Sequence, residues 1–371
     1  IMSTLKVDAI RHNSATSDAI TTAADGTCTA KLTSIGGGGL SHRNIVINGD
    51  MSIAQRHTSS TSHPAYGVDR FRWGFGNHSA GTVTASQQSL TSSDTPYSSG
   101  FRYFHRAALS GAGTVLSNGY IGISQRLEAQ DVAQSGWNYT SASSYITIQF
   151  WFRCSTNQTF YLALTSQDGT SQSYPFAYTA SGNNAWTKIT KTIPGNSNLQ
   201  FDLNADRGLT VSFTPWYGTD WTGSKALDQW SPYDGAAEYP DYESTWLTAG
   251  ASTFDITGVQ LEVGDIATTF EFRSYGEELA RCERFFQTGR ASIGSAYNGF
   301  GGNVVHSTYI GFNTKMRAQP SISFGANHTS NNVSNADYYG GESDSGFSYR
   351  VNILANGNYA RYSTYFAEAE I

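Results

Sequence analysis

The chain has 371 residues, a formal net charge of −6 and a charged fraction of 14 %, against roughly a quarter in a typical soluble domain. The acidic balance argues against a nucleic-acid-binding protein, because such a protein needs a clustered basic surface. The three cysteines lie far apart at positions 28, 154 and 282. This spacing fits neither a disulfide framework nor a cysteine metal site.

The length is typical of two or three domains. No apolar stretch approaches the length of a membrane span, and no basic segment followed by an apolar one marks a secretory signal. We therefore expect no membrane insertion, assembly in the cytoplasm of the producing cell and release by cell lysis.

Residues 1–43 are mostly small and polar, with short apolar patterns over 5–10 and 19–32 and a turn signal at Asp25-Gly26. One copy of this segment cannot bury a core, so it is either disordered or wound together with copies of itself. The four glycines 36–39 then predict a flexible joint. We interpret residues 1–43 as an attachment and trimerisation segment.

Residues 44–275 contain a series of short strands bounded by Gly, Asn, Asp or Pro, with no helix between them. Because side chains alternate across a strand, the stretch "SYITIQFWFRC" places four apolar residues on one face, namely Ile146, Ile148, Phe150 and Phe152. Such a series predicts a jelly-roll β-sandwich. In the last stretch, "FDITGVQLEVG", Gly258 interrupts the alternation and predicts a β-bulge.

Residues 276–288 are predicted to form a helical spacer, with the helix over 276–287. Leu279, Cys282 and Phe285 or Phe286 form one apolar stripe, and Glu277 and Arg281 form a favourable pair four residues apart. Residues 289–371 return to strand patterns and are predicted to form a smaller C-terminal β-sandwich. The expected fold class of the whole chain is therefore all-β.

The segment 215–246 is rich in Trp and Tyr interspersed with acids, and it is long for a connection between two strands. Aromatic faces stack on the apolar faces of sugar rings, and carboxylates accept hydrogen bonds from hydroxyls. One interpretation is thus a glycan-binding flap, and the other is an ordered flap whose rings cover a sheet or a neighbouring subunit. Trp151, on the polar face of its strand, either contacts glycan as well or packs under that same flap. The candidate glycan contacts are Trp151, Trp216, Trp221, Trp230, Tyr233, Tyr239, Tyr242 and Trp246.

Catalytic motifs are absent from the sequence. It contains no Gly-x-Ser-x-Gly, His-Glu-x-x-His or Cys-x-x-Cys pattern. We therefore assign no catalytic residue and expect no cofactor.

Several stretches resemble tail-fibre and appendage proteins of tailed bacteriophages, especially phages of marine cyanobacteria. They are "MSTLKVDAIRHNSATSDAITTAADGTCTAKL" near the start, then "NIVINGDMSIAQR", "YGVDRFRW", "AWTKITKTIPG" and the terminal "AEAEI". The resemblance extends over nearly the whole chain. It implies a virion protein, assembled in the host cytoplasm, that joins other tail proteins through its N-terminal segment.

The stretches "NIVINGDM" and "FDITGVQL" are similar to the first and last strands of carbohydrate-binding jelly rolls. That family often has a Glu after its Asn-Gly motif and paired Asp residues in the last strand, which help to hold a structural calcium. Met51-Ser52 and Thr257-Gly258 stand at these places instead, and only Asp50 and Asp255 lie nearby. The resemblance implies glycan binding, while the calcium site lacks its usual carboxylates.

The phage resemblance implies a homotrimeric tail fibre or comparable appendage that binds a surface polysaccharide or other receptor of the bacterial host. A purely structural virion decoration or tail component and a glycan depolymerase are the alternatives. The sequence lacks the long repetitive solenoid of phage depolymerases, so we expect no enzyme. In a closed trimer, apolar residues without a core of their own would lie between the copies. The candidate interface residues are Leu5, Val7, Ile10, Ile20, Leu32, Leu279 and Cys282.

Overall fold

The structure is a computed structural model that describes residues 7–11, 13, 16–25, 28–30, 42–64, 66–79, 81–180, 184–297, 299, 304–329, 332–333 and 338–371. Strands dominate these ranges, and the helices in them are short. This confirms the expected all-β class. None of the described helices is long and apolar enough to cross a membrane.

Three short strands form a small antiparallel sheet near the N-terminus. They are β1 (Ala9–Ile10), β2 (Ile20–Thr22) and β3 (Cys28–Ala30), in that order across the sheet. Val7 and Ile10 are 40 % and 52 % exposed, so part of the apolar surface of this segment faces solvent in the single chain. Leu5 and Leu32 lie outside the described residues. Burial of this surface between three copies stays a prediction.

Two six-stranded antiparallel sheets pack face to face in the centre of the chain. Their strands are β4 (Ser59–Ser60), β5 (Arg72–Gly76), β6 (Val83–Ser89), β7 (Tyr103–Leu109), β8 (Tyr120–Glu128), β9 (Tyr145–Cys154), β10 (Phe160–Ser166), β11 (Gln172–Tyr178), β12 (Thr187–Pro194), β13 (Arg207–Tyr217), β14 (Ser231–Pro232) and β15 (Thr253–Val263). Short helices lie in three connections: α1 (Thr95–Ser98), α2 (Ala129–Ala133) and α3 (Thr245–Thr248).

The front sheet has the strand order β14-β11-β10-β13-β8-β5, and the back sheet has the order β12-β9-β15-β7-β6-β4. Most connections therefore cross from one sheet to the other. Such crossing produces the sandwich that the strand series predicts, and it leaves one face of each sheet directed outwards.

The main core lies between these two sheets. The four residues that alternation places on one face of β9 are all at most 1 % exposed, namely Ile146, Ile148, Phe150 and Phe152. The ring of Phe150 meets that of Phe213 from the front sheet at a centroid distance of 5.0 Å. Burial of each such side chain contributes about 1.5–3 kcal/mol, and this burial fixes which face of β9 points inwards.

The predicted bulge in β15 is present. Its pairing with β9 shifts register between Thr257 and Gln260, and Gly258 has a φ of +63°. A Cβ at Gly258 would lie 2.7 Å from Cζ of Phe101. Both the backbone conformation and this close approach require glycine.

Helix α4 (Tyr275–Glu283) begins after Ser274, whose side chain accepts a hydrogen bond from the backbone N–H of Glu277. It ends before the predicted residue 287 because the next strand already starts at Phe286. The expected pair between Glu277 and Arg281 is present at 3.4 Å.

The apolar stripe of α4 packs within its own chain. Cys282 is 1 % exposed and, with Leu279, lies against Ile47 and Ile53. These side chains therefore have partners within their own chain, with Leu279 only partly buried. Their predicted place at a three-fold axis stays a prediction.

The C-terminal unit consists of two three-stranded sheets with a small core between them. Its strands are β16 (Phe286–Tyr297), β17 (Val304–Gly311), β18 (Ser321–Thr329), β19 (Tyr338–Ser343), β20 (Gly346–Ile353) and β21 (Gly357–Glu368). One sheet has the order β16-β21-β18 and the other β17-β20-β19.

Arginine side chains attach α4 and the C-terminal unit to the central sandwich. Nε of Arg284 donates to Oε1 of Glu128 at 2.8 Å, and its Nη2 donates to Oε2 at the same distance. Arg70 forms an ion pair with Glu370. The segment after β15 is thus a docked element of the sandwich rather than a free spacer.

Candidate functional site

A groove of about 290 Å³ lies on the outer face of the front sheet. Strands β5, β8, β10 and β13 supply its floor, and the connection after β13 supplies Tyr233 and Glu238 to its wall. Residues 120–126 alternate between partly exposed and buried. Their outward side chains therefore line the groove, while Ile121 and Ile123 face the core.

Two glycines form part of the floor. Gly74 of β5 and Gly122 of β8 are direct cross-strand partners. A Cβ on Gly122 would lie 3.6 Å from the carbonyl oxygen of Phe213 and 3.6 Å from Cε1 of Tyr217, which is ordinary contact. Glycine is therefore not required here by the backbone, and its effect is to leave open space between the surrounding side chains.

Small hydroxyl side chains and arginines flank the two glycines. In one cross-strand row Arg72 pairs with Ser124 and Ser124 with Ser212. In the next row Arg126 pairs with Thr210, whose hydroxyl is buried without a hydrogen-bond partner among the described residues. A buried unpartnered hydroxyl costs free energy, and this oxygen is closed to solvent as the floor stands.

Tyrosine rings form the wall of the groove. Tyr120, Tyr217 and Tyr233 all line it, and the rings of Tyr120 and Tyr217 meet edge to face at 6.4 Å. The ring of Trp221 packs against Tyr120 from behind at 6.2 Å. Tyr233 is 42 % exposed, so its ring remains available to a ligand.

Glu238 is the single carboxylate that lines the groove within the described ranges. It accepts a hydrogen bond of 2.9 Å from the hydroxyl of Tyr233. Burial raises the pKa of Glu238 to about 7, although the bond from Tyr233 and the charge of Lys225 act in the opposite direction. Burial also raises the pKa of the Tyr233 hydroxyl. At neutral pH this acid therefore carries only part of a negative charge.

Three predicted glycan contacts belong to the protein interior. Trp216, Tyr239 and Trp246 are each at most 1 % exposed. Nε1 of Trp246 donates to the carbonyl oxygen of Thr253 at 3.0 Å, and the Tyr239 hydroxyl accepts from Thr214 at 3.1 Å. No ring face of these residues is open to a sugar, and their assignment as glycan contacts is corrected here to core packing.

Three further aromatic candidates pack partly buried against the sheets. Nε1 of Trp230 donates to the carbonyl oxygen of Pro194 at 2.7 Å. The ring of Tyr242 meets that of Tyr161 edge to face at 4.9 Å. Together with Trp221 they hold the segment 215–246 over the front sheet, as the second interpretation of this segment expects. Of its aromatic candidates, Tyr233 is the one that lines the groove.

Trp151 lies on the opposite side of the sandwich, so its predicted packing under the segment 215–246 is wrong. It lines a pocket of about 280 Å³ on the back sheet, together with Lys188 and Gln149. Oε1 of Gln149 is buried and has no partner among the described residues. Trp151 and Tyr233 therefore belong to separate sites, and one glycan segment cannot contact both.

The residues considered for calcium have other partners. Asp255 is fully buried and accepts hydrogen bonds from Arg106 at 2.7 and 2.8 Å and from Arg153 at 2.9 Å. Asp50 accepts from the hydroxyl of Ser52 at 2.9 Å. Among the described residues no three His, Cys, Asp or Glu side chains are grouped so that they could hold a metal ion.

Comparisons with known proteins concern the fold. No protein-family model and no curated protein matches the sequence. Among solved structures, the chain is similar to the enzymatically active domain of tailspike protein 4 of bacteriophage CBA120. The identity is 13 % over 63 % of this chain and 24 % of that chain, with a TM-score of 0.30. The match thus spans about a quarter of the tailspike chain.

Carbohydrate-binding modules are also among the similar structures. The family 11 module of Clostridium thermocellum, in complex with a β-1,3-1,4-mixed-linked tetrasaccharide, is 11 % identical over 57 % of this chain and 97 % of its own, with a TM-score of 0.27. The N-terminal cellulose-binding domain of Cellulomonas fimi β-1,4-glucanase C is 10 % identical over 44 % and 79 %, with a TM-score of 0.26. All three TM-scores are low, so any function has to follow from this chain's own side chains.

Sequence reasoning missed most of the groove. Its unpredicted residues include Arg72, Gly74, Tyr120, Gly122, Arg126, Arg207, Ser212 and Tyr217. One signal was available: the stretch "YIGISQR" alternates Ile with Tyr, Gly, Ser and Arg, which indicates a strand with a polar outer face. That this strand lies between β5 and β13 depends on the tertiary fold.

Proposed function

We propose that the chain is a virion appendage of a tailed bacteriophage and that it binds a glycan of the host surface in the groove of the front sheet. The observation that carries this proposal is the combination of side chains in one groove. Open space above Gly74 and Gly122 lies beside the rings of Tyr120, Tyr217 and Tyr233. Tyrosine rings can stack on a sugar ring, and the adjacent hydroxyl groups can exchange hydrogen bonds with it.

The expected affinity of one groove is modest. Its volume of about 290 Å³ is close to the lower limit of about 300 Å³ for typical ligand sites, which suits a short stretch of a polysaccharide. Each aromatic contact contributes about 1 kcal/mol. Several copies on one virion would raise the overall affinity through effective concentration.

We also propose a homotrimer that joins the other tail proteins through residues 1–43. The exposed Val7 and Ile10 support an assembly through this segment. Light scattering on the purified protein tests it, since three chains are expected in each particle and a monomer or a dimer would contradict the proposal.

Glycan cleavage is the second candidate function, because Glu238 is an acid with a pKa of about 7 inside the groove. A general acid with such a pKa suits glycoside hydrolysis, but both common mechanisms need a second carboxylate within about 5–10 Å. Glu238 stands without a second lining carboxylate in the described part of the groove. We therefore propose binding without cleavage. Reducing sugar released from a bound glycan, and lost in Glu238→Gln, would support the depolymerase instead.

The binding experiment uses an array of immobilised bacterial and algal polysaccharides. We expect the purified protein to bind at least one of them and Gly122→Val to lose at least tenfold in affinity. A Cβ fits at this position with ordinary contacts, and valine favours strands, so the variant should fold while its γ carbons fill the floor of the groove.

The matched control is Gly111→Val. No atom lies within 4 Å of a Cβ built at Gly111, and this glycine does not line the groove. Its binding should equal that of the unchanged protein. Equal binding by Gly122→Val and the unchanged protein would place the glycan elsewhere and contradict the proposed site.

A further inference from the structure

Three guanidinium groups line the groove, and none of them forms an ion pair with an Asp or Glu side chain among the described residues. Arg72, Arg126 and Arg207 come from β5, β8 and β13. Arg207 donates to the side-chain oxygen of Gln167, and Arg126 donates to a main-chain oxygen of Ile371, the last residue of the sequence. The side chain of Arg72 forms no hydrogen bond with any described residue, so Arg72 and Arg207 are the two arginines of the groove without a charged partner in the described part of the chain.

The three charges are close enough to act on one another. Burial is the main cause that lowers the pKa of Arg126, and the positive charges of Arg207 and Arg72 lower it further, against the smaller opposing effects of Tyr66 and Glu370. Partly buried arginines elsewhere in the chain pair with acids, as Arg106 does with Asp255. The groove therefore concentrates positive charge in a chain whose net charge is −6.

From this cluster we infer that the groove selects negatively charged glycans, those that carry carboxylate or sulfate groups. The inference rests on the proposed glycan-binding function of the same groove. A guanidinium group presents parallel N–H donors that match the oxygens of a carboxylate or a sulfate. Partly buried charges without a counter-ion are costly, and an anionic group of the ligand would supply it.

The arrangement also orients the ligand. Arg72, Ser124 and Ser212 form a cross-strand row on the floor, whereas Tyr233 and Glu238 come from the wall after β13. An acidic sugar is therefore expected to direct its anionic group to the arginine row and away from Glu238.

The test uses polygalacturonate, alginate, hyaluronan and carrageenan, each with its carboxyl-reduced or desulfated derivative. We expect binding to at least one acidic member, loss of at least tenfold in affinity for its neutral derivative, and weaker binding at higher salt. If the protein binds the acidic and neutral forms equally and Gly122→Val still loses affinity for both, this inference is overturned while the proposed function stands. Failure of the unchanged protein to bind any member or any derivative would contradict both.

Variants assign the effect to the arginines. Arg72→Gln and Arg207→Gln should each lower affinity for the acidic glycan about tenfold, since a hydrogen bond to a charged group is typically worth that much or more. Arg290→Gln makes the same charge change at an exposed site on the C-terminal unit and should leave binding unchanged. Arg72→Lys retains the charge and should bind the acidic glycan more tightly than Arg72→Gln does. This difference shows that the loss in Arg72→Gln comes from the missing charge and not from misfolding. Equal loss in Arg290→Gln would overturn the assignment.

Discussion

Replacement of Trp216 by alanine tests whether the aromatic segment belongs to the core or to the binding surface. Trp216 is 1 % exposed and belongs to the core between the two sheets. Its edge lies close to Gly119, where an added Cβ would be 2.5 Å from Cζ3 of the indole. The surrounding backbone therefore encloses the ring and cannot easily collapse into the space that it leaves.

The expected cost follows from this burial. A buried Trp or Phe replaced by alanine lowers the free energy of unfolding by about 3–5 kcal/mol. For a sandwich of about 200 residues, an unfolding entropy of about 2.1 cal/mol/K per residue converts 4 kcal/mol into a fall in Tm of about 10 °C.

The assay is thermal unfolding followed by circular dichroism, with Tyr233→Ala as the paired variant. Tyr233 is 42 % exposed, and surface substitutions usually change stability by no more than about 0.5 kcal/mol. Its Tm should therefore fall by no more than about 2 °C, while glycan binding decreases. A normal Tm for Trp216→Ala, or a large fall for Tyr233→Ala, would refute this division between core and surface.

Further predictions concern pH, buried charge and docking. Burial raises the pKa of Glu238 from 4.5 to about 7, so its carboxylate repels an anionic glycan above that pH. The affinity for an acidic glycan should therefore be higher at about pH 6 than at about pH 8. Glu238→Gln should remove this difference. Because the pKa is higher in the folded than in the unfolded state, the folded state should also lose stability as pH rises from about 4.5 to 7. The midpoint of urea unfolding measured across this pH range, with Glu238→Gln as control, would show it. Asp255→Asn leaves Arg106 and Arg153 without their buried counter-ion and should lower the free energy of unfolding by about 3 kcal/mol. A calcium chelator should leave Tm unchanged, because the two arginines already bind the Asp255 carboxylate. Leu279→Asp should make the C-terminal unit sensitive to limited proteolysis, because Leu279 packs within its own chain. The mass of the assembly, measured by light scattering, stays the same if this intrachain contact is its one role, and a lower mass would support the predicted interface role of α4.

Local patterns were sufficient to predict the strands and the bulge. The alternation from Ile146 to Phe152 determines which face is buried, because either face of a strand is defined by every second residue. Gly258 could be identified for the same reason, since it breaks the alternation where the backbone bulges. These features depend on neighbours in the sequence and need no knowledge of the rest of the fold.

Partners distant in the sequence could not be predicted in this way. The stripe of α4 was predicted, but its contact with Ile47 and Ile53 was not, because nothing in the sequence connects Cys282 with these residues. The groove has the same origin: Gly74 and Gly122 are far apart in the chain and become neighbours only through strand pairing. The density of Trp and Tyr in 215–246 instead pointed to residues that mainly build the core.

The most direct measurement is a crystal structure of the protein with an acidic oligosaccharide prepared from a polysaccharide that it binds. The proposed function predicts a sugar ring over Gly122, in contact with Tyr217 or Tyr233, with its anionic group at hydrogen-bond distance from Arg72 or Arg207. An oligosaccharide found instead in the Trp151 pocket of the back sheet, or on the C-terminal unit with the groove empty, would contradict it.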